Sequence, residues 1–179
     1  MSTRSYICRE NADGTYTGIY CHHDGYLDYN GAMLLKHYAD REKVDKLFSL
    51  GCLSSLCPNL DPDPNKPHSF DYDKRQDGVC VFYGRDRGEN DQEAFPVELN
   101  KLYENCGIEY CYVFTRDGKW KYFRPENSAV ILRDVETDLN VELHGRNAET
   151  FDDGDSCVPG DILDTTDWDA VIFNNMISA

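Results

Sequence analysis

Two Asp-Gly dipeptides, Asp13-Gly14 and Asp117-Gly118, each lie between runs in which apolar residues alternate with polar ones. Nothing else constrains the fold of this chain as strongly. Such a pair favours the positive-φ backbone of a tight hairpin turn, so each one ties two neighbouring segments into an antiparallel ribbon. The first joins "SYICRE" to "TYTGIYC" and the second joins "YCYVFT" to "KWKYF". A two-residue turn centred on each pair sets the expected registers: Cys8 opposite Ile19, Tyr6 opposite Cys21, Val113 opposite Tyr122, and Tyr112 opposite Phe123.

Between the ribbons the spacing becomes helical. Leu34, Leu35 and Tyr38 predict a helix from about Asn30. Asp40 has the side chain of an N-cap for a second helix carrying Val44, Leu47, Phe48 and Leu50, which Gly51 ends. Residues 57–78 carry four prolines and read as a loop. Val79 opens a short strand, "VCVFYG", and a charged loop, "RDRGENDQE", follows it. Pro96 then opens a short helix through Leu99 and Leu102. The stretch "SAVILRDVETDLNVELHG" reads as a strand followed by either another strand or a helix. The expected fold class is α+β, with antiparallel hairpins, short helices and an acidic, partly irregular C-terminal extension. Residues 1–133 are expected to form the α+β core, and 134–179 an extension packed on it or continuous with it. At 179 residues the chain has the size of one domain.

The net charge of −15 is polarised. Residues 1–133 carry 17 bases and 21 acids; residues 134–179 carry 12 acids and the single base Arg146. An acidic segment of this kind repels nucleic acid and attracts basic protein surfaces, so binding to free DNA is not expected. No apolar run is long enough to span a bilayer, and the N-terminus lacks the apolar core of a secretory leader. The eight cysteines are therefore expected to be mostly thiols in a reducing compartment.

Four motifs bear on chemistry. "YCHHDGY" gathers Cys21, His22, His23 and Asp24 within four positions. Adjacent strand residues point to opposite faces, so both histidines reach one metal only if the chain bends. The Asp24-Gly25 pair reads more simply as a corner leading into the helix, and neither metal nor cofactor is expected. In "YGRDRGEN", Arg85 and Arg87 are candidate contacts for a partner; Asp86 and Glu89 stand by to neutralise them, and no phosphate-loop pattern is present. The ribbon "TRDGKWKYFR" alternates Arg116, Lys119, Lys121 and Arg124 with Trp120, Tyr122 and Phe123, a composition suited to stacking on single-stranded nucleic acid or to an ordinary hairpin. The tail presents Asp152, Asp153, Asp155, Asp161, Asp164, Asp167 and Asp169 among apolar anchors such as Trp168. Carboxylates held on a shaped backbone can stand in for DNA phosphates.

The N-terminal run from Ser2 to Leu56, with the later "PHSFD" and "GVCVFYGRDRGE", resembles a family of small acidic proteins from phages and mobile elements of Firmicutes. One branch of that family resembles the type II anti-CRISPR proteins, and the resemblance covers roughly the first 125 residues. It implies a non-enzymatic protein acting in the cytoplasm of a bacterial host. Such a protein, as a monomer, would bind a guide-loaded type II CRISPR nuclease and block its DNA binding or cleavage. That nuclease holds its heteroduplex in a positively charged channel, the kind of surface an acidic extension competes for. Two alternatives stay open: a DNA mimic directed at another basic defence nuclease, and a small hydrolase-like enzyme centred on His22, His23 and Asp24.

Overall fold

The protein is seen as a computed structural model that describes residues 2–105 and 107–146, the last four by their backbone alone. The strands are β1 (Ser5–Glu10), β2 (Tyr16–Cys21), β3 (Leu53–Ser55), β4 (Val81–Phe82), β5 (Phe95–Val97), β6 (Tyr110–Phe114), β7 (Trp120–Phe123) and β8 (Arg133–Asp134). The α-helices are α1 (Ala32–His37), α2 (Arg41–Leu50), α3 (Tyr83–Arg87) and α4 (Val135–Arg146). A π-turn, Leu27–Gly31, leads into α1, and a 3-10 turn, Leu99–Glu104, follows β5.

The strands form one sheet in the order β4-β3-β2-β1-β6-β7-β8, with β5 paired to β2 beside β3. The fold class is α+β. The sheet is mixed, however: β1 runs parallel to β6, and β2 parallel to β3. Both hairpins form, each shifted by one residue from the expected register. Tyr6 faces Tyr20 and Cys8 faces Gly18; Tyr112 faces Tyr122 and Val113 faces Lys121. The turns explain the shift. Gly14 N donates to Asn11 O at 3.0 Å and Asn11 N to Thr15 O at 2.8 Å, with Gly14 at φ 84°. In the second hairpin Gly118 N donates to Thr115 O, Thr115 N to Lys119 O, and Gly118 has φ 79°. Each loop therefore has three residues and ends on a left-handed glycine, in place of the two-residue turn expected for Asp-Gly.

Both faces of the sheet are covered. Ile7, Ile19, Tyr112 and Phe114 are buried on the face that carries α1 and α4. Trp120 Nε1 donates to Tyr38 O at 2.8 Å there, and Tyr112 Oη donates to Gly25 O at 2.8 Å. On the opposite face Cys8, Cys111, Val113 and Phe123 pack with Val97, Leu99 and Leu102. Consecutive residues such as Ile7 and Cys8 are therefore both buried.

Asp40 caps α2, its carboxylate accepting from Lys43 N at 2.9 Å, and Gly51 ends that helix. The helix expected from about Asn30 is α1, which starts at Ala32 after the π-turn that holds Asn30. Other segments depart from expectation. Pro96 lies inside β5, and the helical turn begins only at Leu99. The charged loop after β4 opens with α3. Beyond Pro125, of the two expected alternatives, the short strand followed by a helix is the one that forms, with Val135 and Leu139 buried.

Candidate functional site

The corner "YCHHDGY" is built from the end of β2. His22 N and His23 N donate to Leu53 O (3.1 Å) and Ser54 O (3.0 Å), extending the contact with β3. Asp24 then turns the chain at φ 56°, and Gly25 N donates to Thr3 O at 2.9 Å. Because regular strand stops at Cys21, the two imidazoles do not diverge; their rings meet edge to face at 4.5 Å. His22 Nδ1 bonds Tyr20 Oη at 2.7 Å, and His23 Nδ1 bonds Ser2 Oγ at 3.0 Å. Burial, then His23, then Arg4 lower the pKa of His22. Cys21 is fully buried and accepts from Asn30 Nδ2 at 3.4 Å; burial pushes its thiol up to about 12. A thiol in that state is a packing group rather than a nucleophile. Among the described residues no group of three or more His, Cys, Asp or Glu is placed to hold a metal ion.

The Arg85 side chain, 24% exposed, is committed to neighbouring groups. Its guanidinium donates to both carboxylate oxygens of Asp86 (2.6 and 2.8 Å), to Leu60 O (2.5 Å) and to Cys80 O (2.7 Å). Asp86 also accepts from Phe82 N at 2.7 Å and lies 3.5 Å from His68 Nε2, with both of those side chains almost wholly buried. His68 Nδ1 accepts from Gln76 N at 3.1 Å. The arginine that reads as a partner contact in the sequence thus staples the 57–78 loop to α3. Arg87 is half-exposed, pairs with Glu89 at 2.9 Å and lies 4.7 Å over the Phe70 ring.

The basic ribbon offers no stacking platform, because Trp120, Tyr122 and Phe123 are all buried. Tyr122 Oη donates to Asp138 Oδ2 at 2.9 Å, and Arg116 pairs with Glu10 at 3.0 Å. Asp152, Asp153, Asp155, Asp161, Asp164, Asp167, Trp168 and Asp169 lie outside the described residues.

The structure also forms a site that sequence reasoning missed. On the sheet face opposite α1, half-buried Tyr6, Tyr16 and Phe95 line an open groove of about 1090 Å3, walled by the turn Leu99–Glu104. Tyr6 and Phe95 meet edge to face at 5.4 Å, and Asn105 Nδ2 donates to Tyr6 Oη at 2.8 Å. Tyr6 and Tyr16 sit at strand positions of matching parity across the first hairpin. The two-residue turn expected from the sequence would have put Tyr6 and Tyr16 on opposite faces, and Phe95 comes from far along the chain, so no sequence signal located the groove. Comparison with known proteins adds no further guide: no family model, curated protein or solved structure matches the chain.

Proposed function

We propose that the protein is a non-enzymatic inhibitor of a type II RNA-guided DNA nuclease, binding the guide-loaded enzyme and blocking its engagement of target DNA. One observation carries the reading. Residues 147–179 hold eight acids and no base, against 25 acids and 18 bases in residues 1–146, so a net −8 is concentrated in 33 residues. A carboxylate-rich segment of that density is attracted to the arginine- and lysine-lined channel in which such a nuclease holds its heteroduplex. The resemblance of the N-terminal two-thirds to anti-CRISPR proteins supports the same target. The burial of the ribbon's aromatic rings removes a surface suited to stacking on nucleic acid, and this favours a protein partner. At the corner of the hydrolase-like alternative, His22, His23 and Asp24 are half-buried, and the two imidazoles are bonded to Tyr20 and Ser2. No helix among the described residues is long and apolar enough to cross a membrane.

The test is a pull-down of guide-loaded type II nucleases on the immobilised protein, with and without prior loading of target DNA. Retention of the free complex and loss of the DNA-bound one is the expected result. Failure of every type II nuclease to bind would overturn the assignment, and capture of a different basic nuclease instead would favour the wider DNA-mimic reading.

A further inference from the structure

We infer that the groove between Tyr6, Tyr16 and Phe95 is a docking site for an extended, proline-containing, basic segment of a partner protein. This goes beyond the proposed inhibition and does not depend on the identity of the nuclease.

Three features select the occupant. The first is the lining. Rings set edge to face leave slots between them, and grooves of this kind accept the ridges of a polyproline II segment, whose backbone is already extended and loses little entropy on binding. Tyr6 Oη uses its lone pair to accept from Asn105 and keeps its own proton to donate to a carbonyl of the occupant. Carbonyls in a polyproline II segment have no internal partners, so such a donor is matched to them.

The second feature is the sheet edge at the groove. β5 is its outermost strand here and pairs Phe95, Pro96 and Val97 with Gly18, Thr17 and Tyr16. Pro96 has no N–H, so an incoming β-strand would find no donor in the middle of this three-residue edge. Strand addition is blocked where side-chain docking is open.

The third feature is charge. Glu98 and Glu104 stand on the groove wall with Lys101 as the basic residue among its lining, and Lys101 is paired with Glu98 at 2.7 Å. The wall is net negative on a chain of charge −15, and an occupant with basic flanks is complementary to it.

The experiment uses the full chain and a fluorescein-labelled peptide of alternating leucine and proline with two arginines at each end, followed by fluorescence anisotropy. Saturable micromolar binding is expected. Phe95→Ala and Tyr16→Ala should each weaken it at least about tenfold, as truncation of an anchoring aromatic does. Replacing the peptide's prolines by glycine should weaken it as well. Glu98 and Glu104 are exposed, so Glu98→Lys combined with Glu104→Lys tests the charge argument without disturbing the core. That variant should bind the arginine peptide more weakly and a glutamate-flanked version more tightly. Absence of saturable binding below about 1 mM overturns the proposal. So does equal affinity for the glycine peptide, or indifference to the charge reversal. Phe95-dependent binding of a chito- or cello-oligosaccharide in place of the peptide would likewise overturn it and make the groove a sugar site.

Discussion

A β-carbon added to Gly18 would lie 2.5 Å from Cγ2 of Val97 and 3.2 Å from Sγ of Cys8. The missing side chain is what lets β5 lie against β2 and close the second core beneath the groove. Gly18→Ala should therefore cost about 1–3 kcal/mol, the range for overpacking a filled core. Urea unfolding measures it, and a wild-type midpoint would show that this contact is looser than described. Buried thiols set a second residue-scale expectation. Burial pushes Cys21 and Cys57 from an ordinary 9.0 up to about 12. The unfolded chain gives up these protons first, so it binds fewer protons than the native state from about pH 9 upward. Stability present below pH 9 is lost as pH rises towards 12. Comparing urea midpoints from about pH 8 to about pH 11 should show a smaller fall in Cys21→Ala than in wild type. Parallel falls in the two proteins would remove Cys21 as a cause.

At the scale of elements, the hairpins show how far the sequence reaches. Their existence and strand identities follow from alternation around Asp13-Gly14 and Asp117-Gly118. Their register does not, because an Asp-Gly pair serves equally as the last two residues of a three-residue loop. The choice moves each pairing by one position. A sheet buried on both faces tolerates apolar residues of either parity, so alternation alone does not decide it. For the same reason "KWKYF" reads as half-exposed, yet its aromatic rings are all internal, and Pro96 reads as a helix start although it lies in an edge strand. The Asp40 cap was legible because it depends on local geometry. The groove was not, since it needs Phe95 brought beside Tyr6 by tertiary packing. The turn reading is itself testable. A β-carbon at Gly118 meets nothing within 4 Å, so any cost of Gly118→Ala comes from the left-handed backbone alone. About 1–2 kcal/mol is expected, with Gly118→Asn costing less because asparagine tolerates that conformation. Equal denaturation midpoints for the alanine and asparagine variants would refute it.

For the whole molecule, the sheet's edges and the charge distribution lead to one mode of contact. β4 and β8 are two residues long, and β5 carries Pro96, so none of these strands presents an edge that templates pairing with another chain. Among the described residues, contact with a partner therefore falls to side chains, and the densest run of charge in the sequence is the acidic segment 147–179. If those carboxylates compete with phosphates in the nuclease channel, their contribution is a summed electrostatic one. A single exposed charge is worth only about 0.2–1 kcal/mol, so Asp152→Asn or Asp169→Asn alone should leave inhibition nearly unchanged. Converting Asp152, Asp153, Asp155, Asp161, Asp164, Asp167 and Asp169 together to asparagine should raise the concentration needed for half-inhibition of DNA cleavage by about tenfold or more. Raising the salt should reproduce that loss in wild type and change the variant little, because screening acts on the same interaction. The measurement is a titration of cleavage by the guide-loaded nuclease at two ionic strengths, with circular dichroism to check that the variant keeps its fold. Equal potency of variant and wild type at low salt would eliminate phosphate mimicry as the mechanism and shift the contact to residues 2–146.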